Sequence, residues 1–326
     1  MLRMAAAVIT LTLLLVCGCA QGNENTAKGP PPPAKAKEAA APPTPAASVP
    51  DPAPGSAPKV DGQRAMKYTR EVVAFGARPV ASPPHQRLES YILAQLKGDQ
   101  VESDEFTAQT PAGAFPMRNI IAKYPGTKDG IIVIGSHYDT LYDRPKFLGA
   151  NDGGATTGLL LELANHLRGT REGYSVWLVW FDGEEAIRHW SDTDSVYGSR
   201  HLAEKWQKDG TLKKIKAFLL TDMIGDADLD IMRDDNSTAW LEDLVGQAAK
   251  NLGYQSHFFA YETAVQDDHL PFGRLGVPVA DIIDLDYGYN NALHHTDRDT
   301  LDKVSSKSLK ISGDVVLETV RLLDLR

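Results

Sequence analysis

An apolar, aromatic and β-branched run, Tyr174-Ser175-Val176-Trp177-Leu178-Val179-Trp180-Phe181, ends directly in Asp182-Gly183-Glu184-Glu185-Ala186. A run this short, preceded by Arg-Glu-Gly, reads as a buried strand. Side chains alternate along extended backbone, so Glu184 and Glu185 at its end point different ways. One can bind a metal while the other faces a substrate. An isolated Glu-Glu pair is ordinarily solvated surface charge, so the rest of the chain decides between the readings.

The same pattern recurs. Ile131–Ile134 leads through Gly135-Ser136 into His137-Tyr138-Asp139, and Ala217–Thr221 leads into Asp222. Strands are expected at 118–124, 130–136, 174–181, 215–221 and 277–283. Helices are expected at 61–75, 84–96, 153–167, 199–207, 237–251 and 305–323. Segment 125–129 is expected to join the first two strands as a turn. Strands alternating with helices imply an α/β fold in three layers, a mostly parallel central sheet flanked by helices. In such sheets ligands bind beyond the strand C-terminal ends, where these polar residues fall.

Only part of the chain suits such a core. Residues 1–20 carry one early arginine, Arg3, then an apolar stretch through Val16, too short for a spanning helix. Val16-Cys17-Gly18-Cys19 is similar to a bacterial lipobox, which implies a lipoprotein-type signal peptide, a lipidated Cys19 and a location in the cell envelope on the periplasmic or extracellular side. Secretion after Ala20 is the alternative. Residues 21–60 are rich in Pro, Ala and Lys and read as a disordered tether. Residues 61–326 form the expected catalytic domain. The 2 cysteines of the chain are Cys17 and Cys19, so this domain has neither a disulfide nor a cysteine metal site. The net charge of −9 and the lack of a basic stripe argue against nucleic acid as a partner. Membrane contact is expected only through the lipid.

Candidate chemistry gathers at successive strand ends. His137 and Asp139 share a face by period-two spacing, and Asp139 is expected to fix the imidazole tautomer. Asp152 lies in the small-residue loop Gly149-Ala150-Asn151-Asp152-Gly153-Gly154. Glu184 and Glu185, then Asp222, then His294-His295-Thr296-Asp297 complete the set. Each has an ordinary reading as turn, cap or buried residue. Together, carboxylates and imidazoles without thiolates suit a catalytic zinc with an open position.

The order His-x-Asp, Asp, Glu-Glu, Asp, His resembles the zinc aminopeptidase superfamily. The stretches Phe181–Ala203, with His189-Trp190-Ser191 and Tyr197-Gly198-Ser199-Arg200, and Gln266-Asp267-Asp268-His269-Leu270-Pro271-Phe272 resemble its glutaminyl-peptide cyclotransferase (glutaminyl cyclase) branch. The resemblance spans most of 61–326. It implies one zinc held by Asp152, Glu185 and His295, with Glu184 as general acid/base. It implies an acidic network of Asp222 and Asp267 beside Glu184, and Trp190 and Gln266 at the substrate pocket. His137 matches the position that takes a second metal in the aminopeptidases. His294 stands where the animal cyclases carry tryptophan, and the aromatic wall is expected to be rebuilt from Tyr287 or Tyr289. Asp226, Asp228 and Asp230 read as a solvated turn.

The resemblance implies an acyltransferase that converts the N-terminal glutamine of peptides or proteins to pyroglutamate and releases ammonia. A two-metal zinc aminopeptidase would use the same residues, with His137 and Asp222 as added ligands. A tethered, non-catalytic binding module is the third reading, and the intact Glu184 argues against it.

Overall fold

The computed structural model describes residues 59–169 and 171–326. The expected signal peptide and nearly all of the tether lie outside the described residues.

The central sheet has six strands: β1 (Gln100–Thr110), β2 (Gly113–Tyr124), β3 (Gly126–His137), β4 (Arg171–Phe181), β5 (Ile215–Asp222) and, after two others, β8 (Val279–Ile283). Their order is β1-β2-β4-β3-β5-β8. Strands β4, β3, β5 and β8 run parallel, and the β1–β2 hairpin adds antiparallel to β4. A separate two-stranded ribbon joins β6 (Ile231–Asp234) and β7 (Phe258–Thr263). The helices are α1 (Gly62–Val73), α2 (Pro83–Gln95), α3 (Thr156–Leu167), α4 (Tyr197–Asp209), α5 (Ala239–Leu252), α6 (Leu270–Gly273) and α7 (Ser306–Asp324).

Alternation along the strands divides the core into two layers. Ile132, Ile134, Val176, Leu178, Trp180, Ala217 and Leu219 pack with residues of α1, α3, α5 and α7. Val133, Val179, Phe181, Phe218 and Leu220 pack on the opposite face with Leu202, Ala203 and Trp206 of α4 and Phe272 of α6. Gly135 makes the second layer possible. A Cβ there would come within 2.6 Å of the Phe181 ring and 2.8 Å of the Phe218 ring. The three-layer, mostly parallel α/β sheet is the expected one.

The turn expected at 125–129 is absent: only Pro125 separates β2 from β3, which already begins at Gly126, and β4 lies between the two strands in the sheet. Strand β1 was not expected at all. It sits at the sheet edge and is mostly exposed, so it lacks the apolar run that marks a buried strand. Pairing of β2 with β4 stops at Ile120 and Trp180, so the hairpin continues past the C-terminal end of β4.

Candidate active site

The polar groups converge at the C-terminal ends of β3, β4 and β5. After β3 the chain makes an irregular helical turn, Ala150–Ala155, before α3. Asp152 (φ −80°, ψ 104°) and Gly153 (φ +74°) break that turn and aim the Asp152 carboxylate inward. Gly153 is required twice over. Its φ favours glycine, and a Cβ would lie 2.9 Å from the Asp139 carbonyl oxygen. Arg78, fully buried, anchors the loop by donating to the carbonyls of Leu148 (2.6 Å) and Gly149 (3.0 Å).

His137 lies at the centre. Its Nε2 is 3.1 Å from Asp152 Oδ1 and 3.3 Å from Asp222 Oδ1, and its Nδ1 faces Glu184 Oε2 at 3.8 Å. His295 Nε2 is 3.5 Å from both Asp152 Oδ2 and Glu185 Oε2. The donor atoms of His137, Asp152 and Asp222 lie within 4.8 Å of one another, as do those of Asp152, His294 and His295. Glu184, Asp222, Asp267, Trp190 and Gln266 line one pocket of about 280 Å³ with Asp152 and both histidines. Trp190, 38% exposed, donates from its indole N–H to Gln266 Oε1 at 3.3 Å. All eight candidate site residues therefore come together.

The electrostatics are dominated by buried carboxylates. Burial, reinforced by the charges of Asp267 and Glu185 against an opposing pull from His137, pushes Glu184 well above the usual carboxylate range. Burial and the neighbouring charges of Asp222 and Asp268 do the same to Asp267. Burial also acts on Asp152, but the hydrogen bond from His137 and the charge of His295 win, and its proton affinity falls. Burial and the neighbouring His294 lower the proton affinity of His295 against the pull of Asp152. Both carboxylate oxygens of Glu185 and Asp152 Oδ2 are buried without a hydrogen-bond partner. Orphaned carboxylate oxygens facing a largely neutral imidazole are the surroundings a divalent cation satisfies. The residues present fit a zinc ion.

Three supporting carboxylates hold the loops. Asp139 does not serve chiefly to orient His137, from whose Nδ1 it stands 3.7 Å away. Instead it accepts the backbone N–H groups of Glu184 (3.1 Å) and Glu185 (3.3 Å). Asp299 accepts from the backbone N–H of Asn151 (2.8 Å) and Asp152 (3.1 Å) and from the Tyr287 hydroxyl (2.8 Å). Asp194 accepts from the N–H groups of Ile187, Arg188 and His189 and from the Tyr197 hydroxyl, at 2.8–3.0 Å. Sequence reasoning missed Asp299, because Thr296-Asp297-Arg298-Asp299 looks like any polar loop. Asp194 was visible only inside a family-like stretch.

The expected aromatic wall is not there. Tyr287 is fully buried on Asp299, Tyr289 is 88% exposed, and neither lines the pocket. Met223, Val265, Ile283 and Leu285 supply apolar surface instead. Nor is Asp226 solvated. It is buried, accepts the Asp228 N–H at 3.1 Å and pairs across an isolated bridge with Val304.

Residues 119–320 match the family model for peptidase family M28. A curated glutaminyl-peptide cyclotransferase from Drosophila melanogaster is 30% identical over 235 residues, 63% of this chain and 66% of the relative, just under two thirds of its length. The Bos taurus glutaminyl-peptide cyclotransferase is 30% identical over 272 residues, 71% of this chain and 74% of the relative. Among solved structures, an Acidobacteriales bacterium glutaminyl cyclase is 54% identical with a TM-score of 0.82, covering 86% of this chain and all of that one. The chain belongs to peptidase family M28 and, within it, to the glutaminyl-peptide cyclotransferases.

Proposed function

We infer that this protein converts N-terminal glutamine to pyroglutamate with release of ammonia. The observation that carries the reading is Glu184, buried in a small pocket bordered by the Trp190–Gln266 contact and beside an orphaned carboxylate–imidazole set. Relatives named for this activity support it.

In this reading the free α-amine attacks the side-chain amide carbon of the same glutamine. A carbon–nitrogen bond forms and the bond to the amide nitrogen breaks. Glu184 takes a proton from the attacking amine and returns it to the departing nitrogen, which leaves as ammonia. Its raised proton affinity brings it nearer to the range such a shuttle needs. Asp267 raises that affinity through its charge, Asp222 lines the same pocket, and Asp139 fixes Glu184 through its backbone. Trp190 and Gln266 fold the glutamine side chain back onto its amine, which matters most in an intramolecular reaction. A zinc ion held by Asp152, Glu185 and His295 supplies Lewis-acid polarisation of the amide carbonyl when bound.

Mass spectrometry of the zinc-loaded protein with two peptides tests this. A glutamine-first peptide should lose one ammonia while a leucine-first peptide stays intact; stepwise loss of N-terminal residues would overturn the reading. The grouping of His137, Asp152 and Asp222 within 4.8 Å favours the aminopeptidase as second reading, and it requires two metals at the pocket. The cyclase reading expects one metal there. We further propose that the mature chain is tethered in the cell envelope through a lipid on Cys19, with its substrates on the same side. Loss of radiolabelled fatty acid from the Cys19→Ala chain would support this, and an unlabelled wild-type chain would exclude it.

A further inference from the structure

A second polar cleft, about 530 Å³ in volume, lies between α2 and the β1–β2 hairpin and shares no lining residue with the pocket of Glu184. His85, Glu89, Glu105 and Arg118 line it. His85 is 1% exposed, and its two ring nitrogens have different surroundings. Nε2 lies 2.7 Å from Asp182 Oδ1; the carboxylate accepts, so this nitrogen carries the hydrogen. Nδ1 is buried without a hydrogen-bond partner. Across from it, at 3.4 Å, stands Glu89 Oε1, one helical turn along the same face of α2.

We propose that His85 Nδ1 and Glu89 Oε1 hold a divalent transition-metal ion, of which zinc is the type, at a site separate from the catalytic pocket. Three observations converge. First, two ligands each about 2.1 Å from a tetrahedral ion stand about 3.4 Å apart, which is the separation found here. Second, a ligating histidine characteristically donates its other ring N–H to a carboxylate, and Asp182 already occupies that place. Third, His85 and Glu89 both line the cleft, whose volume leaves room beside them for the waters that would complete the ion's ligands. The donor atoms of His85, Glu89 and Asp182 all lie within 4.8 Å of one another. Arg118 Nη1 stands 3.4 Å from the other Glu89 oxygen, Oε2, so it leaves Oε1 open. The Tyr138 hydroxyl donates to the Arg118 carbonyl at 2.8 Å and stands 3.3 Å from Oε1, so it does not compete strongly for that oxygen.

A proton is the natural competitor for Nδ1. Burial opposes protonation of His85, but Asp182, Glu89 and Asp139 face it and raise its proton affinity; Arg118 and the stacked Tyr138 are its other polar neighbours. Metal uptake therefore expels one proton and proceeds further at pH 8 than at pH 6.

The test is a metal count on the full chain, stripped with chelator, reloaded with zinc chloride and desalted. Two variants are compared with the native chain, Glu89→Gln and His85→Gln. Neither residue belongs to the cyclising machinery, so turnover of a glutamine-first peptide reports intact folding, and Glu89→Gln, a near-isosteric change at a side chain less buried than His85, guards against collapse of the His85 variant. The native chain should hold one more equivalent than either variant, and reloading with cobalt should give a visible band that both variants lose. Equal counts in all three chains would overturn the proposal. So would an extra equivalent that survives Glu89→Gln but disappears in His137→Gln, since that ion would sit in the catalytic pocket.

Discussion

Replacing Asp194 by Asn tests how the pocket wall is held. The carboxylate takes four hydrogen bonds: Ile187 N–H at 2.9 Å and the Tyr197 hydroxyl at 2.8 Å on Oδ1, Arg188 N–H at 2.9 Å and His189 N–H at 3.0 Å on Oδ2. Asparagine keeps one oxygen. Its amide group would turn two of these contacts into donor against donor. Hydrogen bonds to a charged group contribute about 1.5–3 kcal/mol each, so two are worth roughly 3–6 kcal/mol when fully buried. Residues 188 and 189 are exposed and their hydrogen bonds to Asp194 only part-buried, so water replaces much of the loss, which leaves about 2 kcal/mol. The next residue is Trp190, so the loss falls on the closed position of the wall. Two kcal/mol corresponds to roughly a 30-fold rise in KM for a glutamine-first peptide. The turnover number should change less than threefold, because Asp139 still holds Glu184. The Tm should fall by about 4 °C. Steady-state kinetics and intrinsic fluorescence, with Trp190→Phe as reference, make the measurement. A lower Tm with unchanged KM and unchanged Trp190 emission would refute the reasoning. Asp194 is held below the usual carboxylate range: burial pushes it up, but the His189 N–H and the Tyr197 hydroxyl prevail. Its contribution is thus present above the unfolded pKa and lost only as the pH falls through the lower, folded value.

Glu184→Gln should lower turnover by at least about 100-fold while the metal content stays at the native value, and residual activity near the native level would remove Glu184 from the proton path. Glu185→Gln and His295→Ala should lose zinc during dialysis that the native chain survives, as metal analysis would report; chelator should likewise silence the enzyme, and zinc should restore it. Asp299→Asn should weaken zinc retention through the backbone of Asp152, at little cost to KM, and unchanged retention would contradict its supporting role. Burial, against the Asp234 N–H and the Arg233 charge, raises Glu242 to about 7. The native state therefore keeps this proton to higher pH than the unfolded chain does, and stability declines from about pH 4.5 to 7 and levels off above. Chemical denaturation across that range should show a shallower decline for Glu242→Gln.

The sheet was legible where strands are buried on both faces. Continuous apolar runs at 131–134, 174–181 and 217–221 leave few alternatives. Strand β1 was not legible, because Gln100–Thr110 buries only Asp104 and Ala108 and its place depends on pairing with β2 rather than on its own composition. Of the residues expected at the site, Asp152, Glu184, Glu185, Asp222 and His295 stood out as acids and a histidine at strand ends or in nearby loops, whereas Trp190, Gln266 and Asp267 came only from the resemblance. Their supports were not found, because one carboxylate accepting backbone N–H groups leaves no local pattern. Asp299 reaches Asn151 and Asp152 across almost half the chain. Tyr287 shows the opposite error: an aromatic in a polar loop suggested a pocket wall, yet its hydroxyl made it a partner for Asp299.

The overhang of the β1–β2 hairpin gives the molecule a built-in gradient of opening. Beyond Asn119 about six residues of β2 extend past the end of β4 and keep only β1 as partner. At about 3.3 Å per residue this is a ribbon some 20 Å long with no third strand beside it. Its backbone N–H groups should exchange with solvent in sequence, first near Gly113 and last at Ile120 and Ile121 in the core. At the root of the ribbon, the Arg118 N–H donates to Asp182 Oδ2, two residues before Glu184. Fraying that travels down the ribbon therefore ends at the segment that carries the reaction, and the exchange rate of the Arg118 amide reports when it arrives.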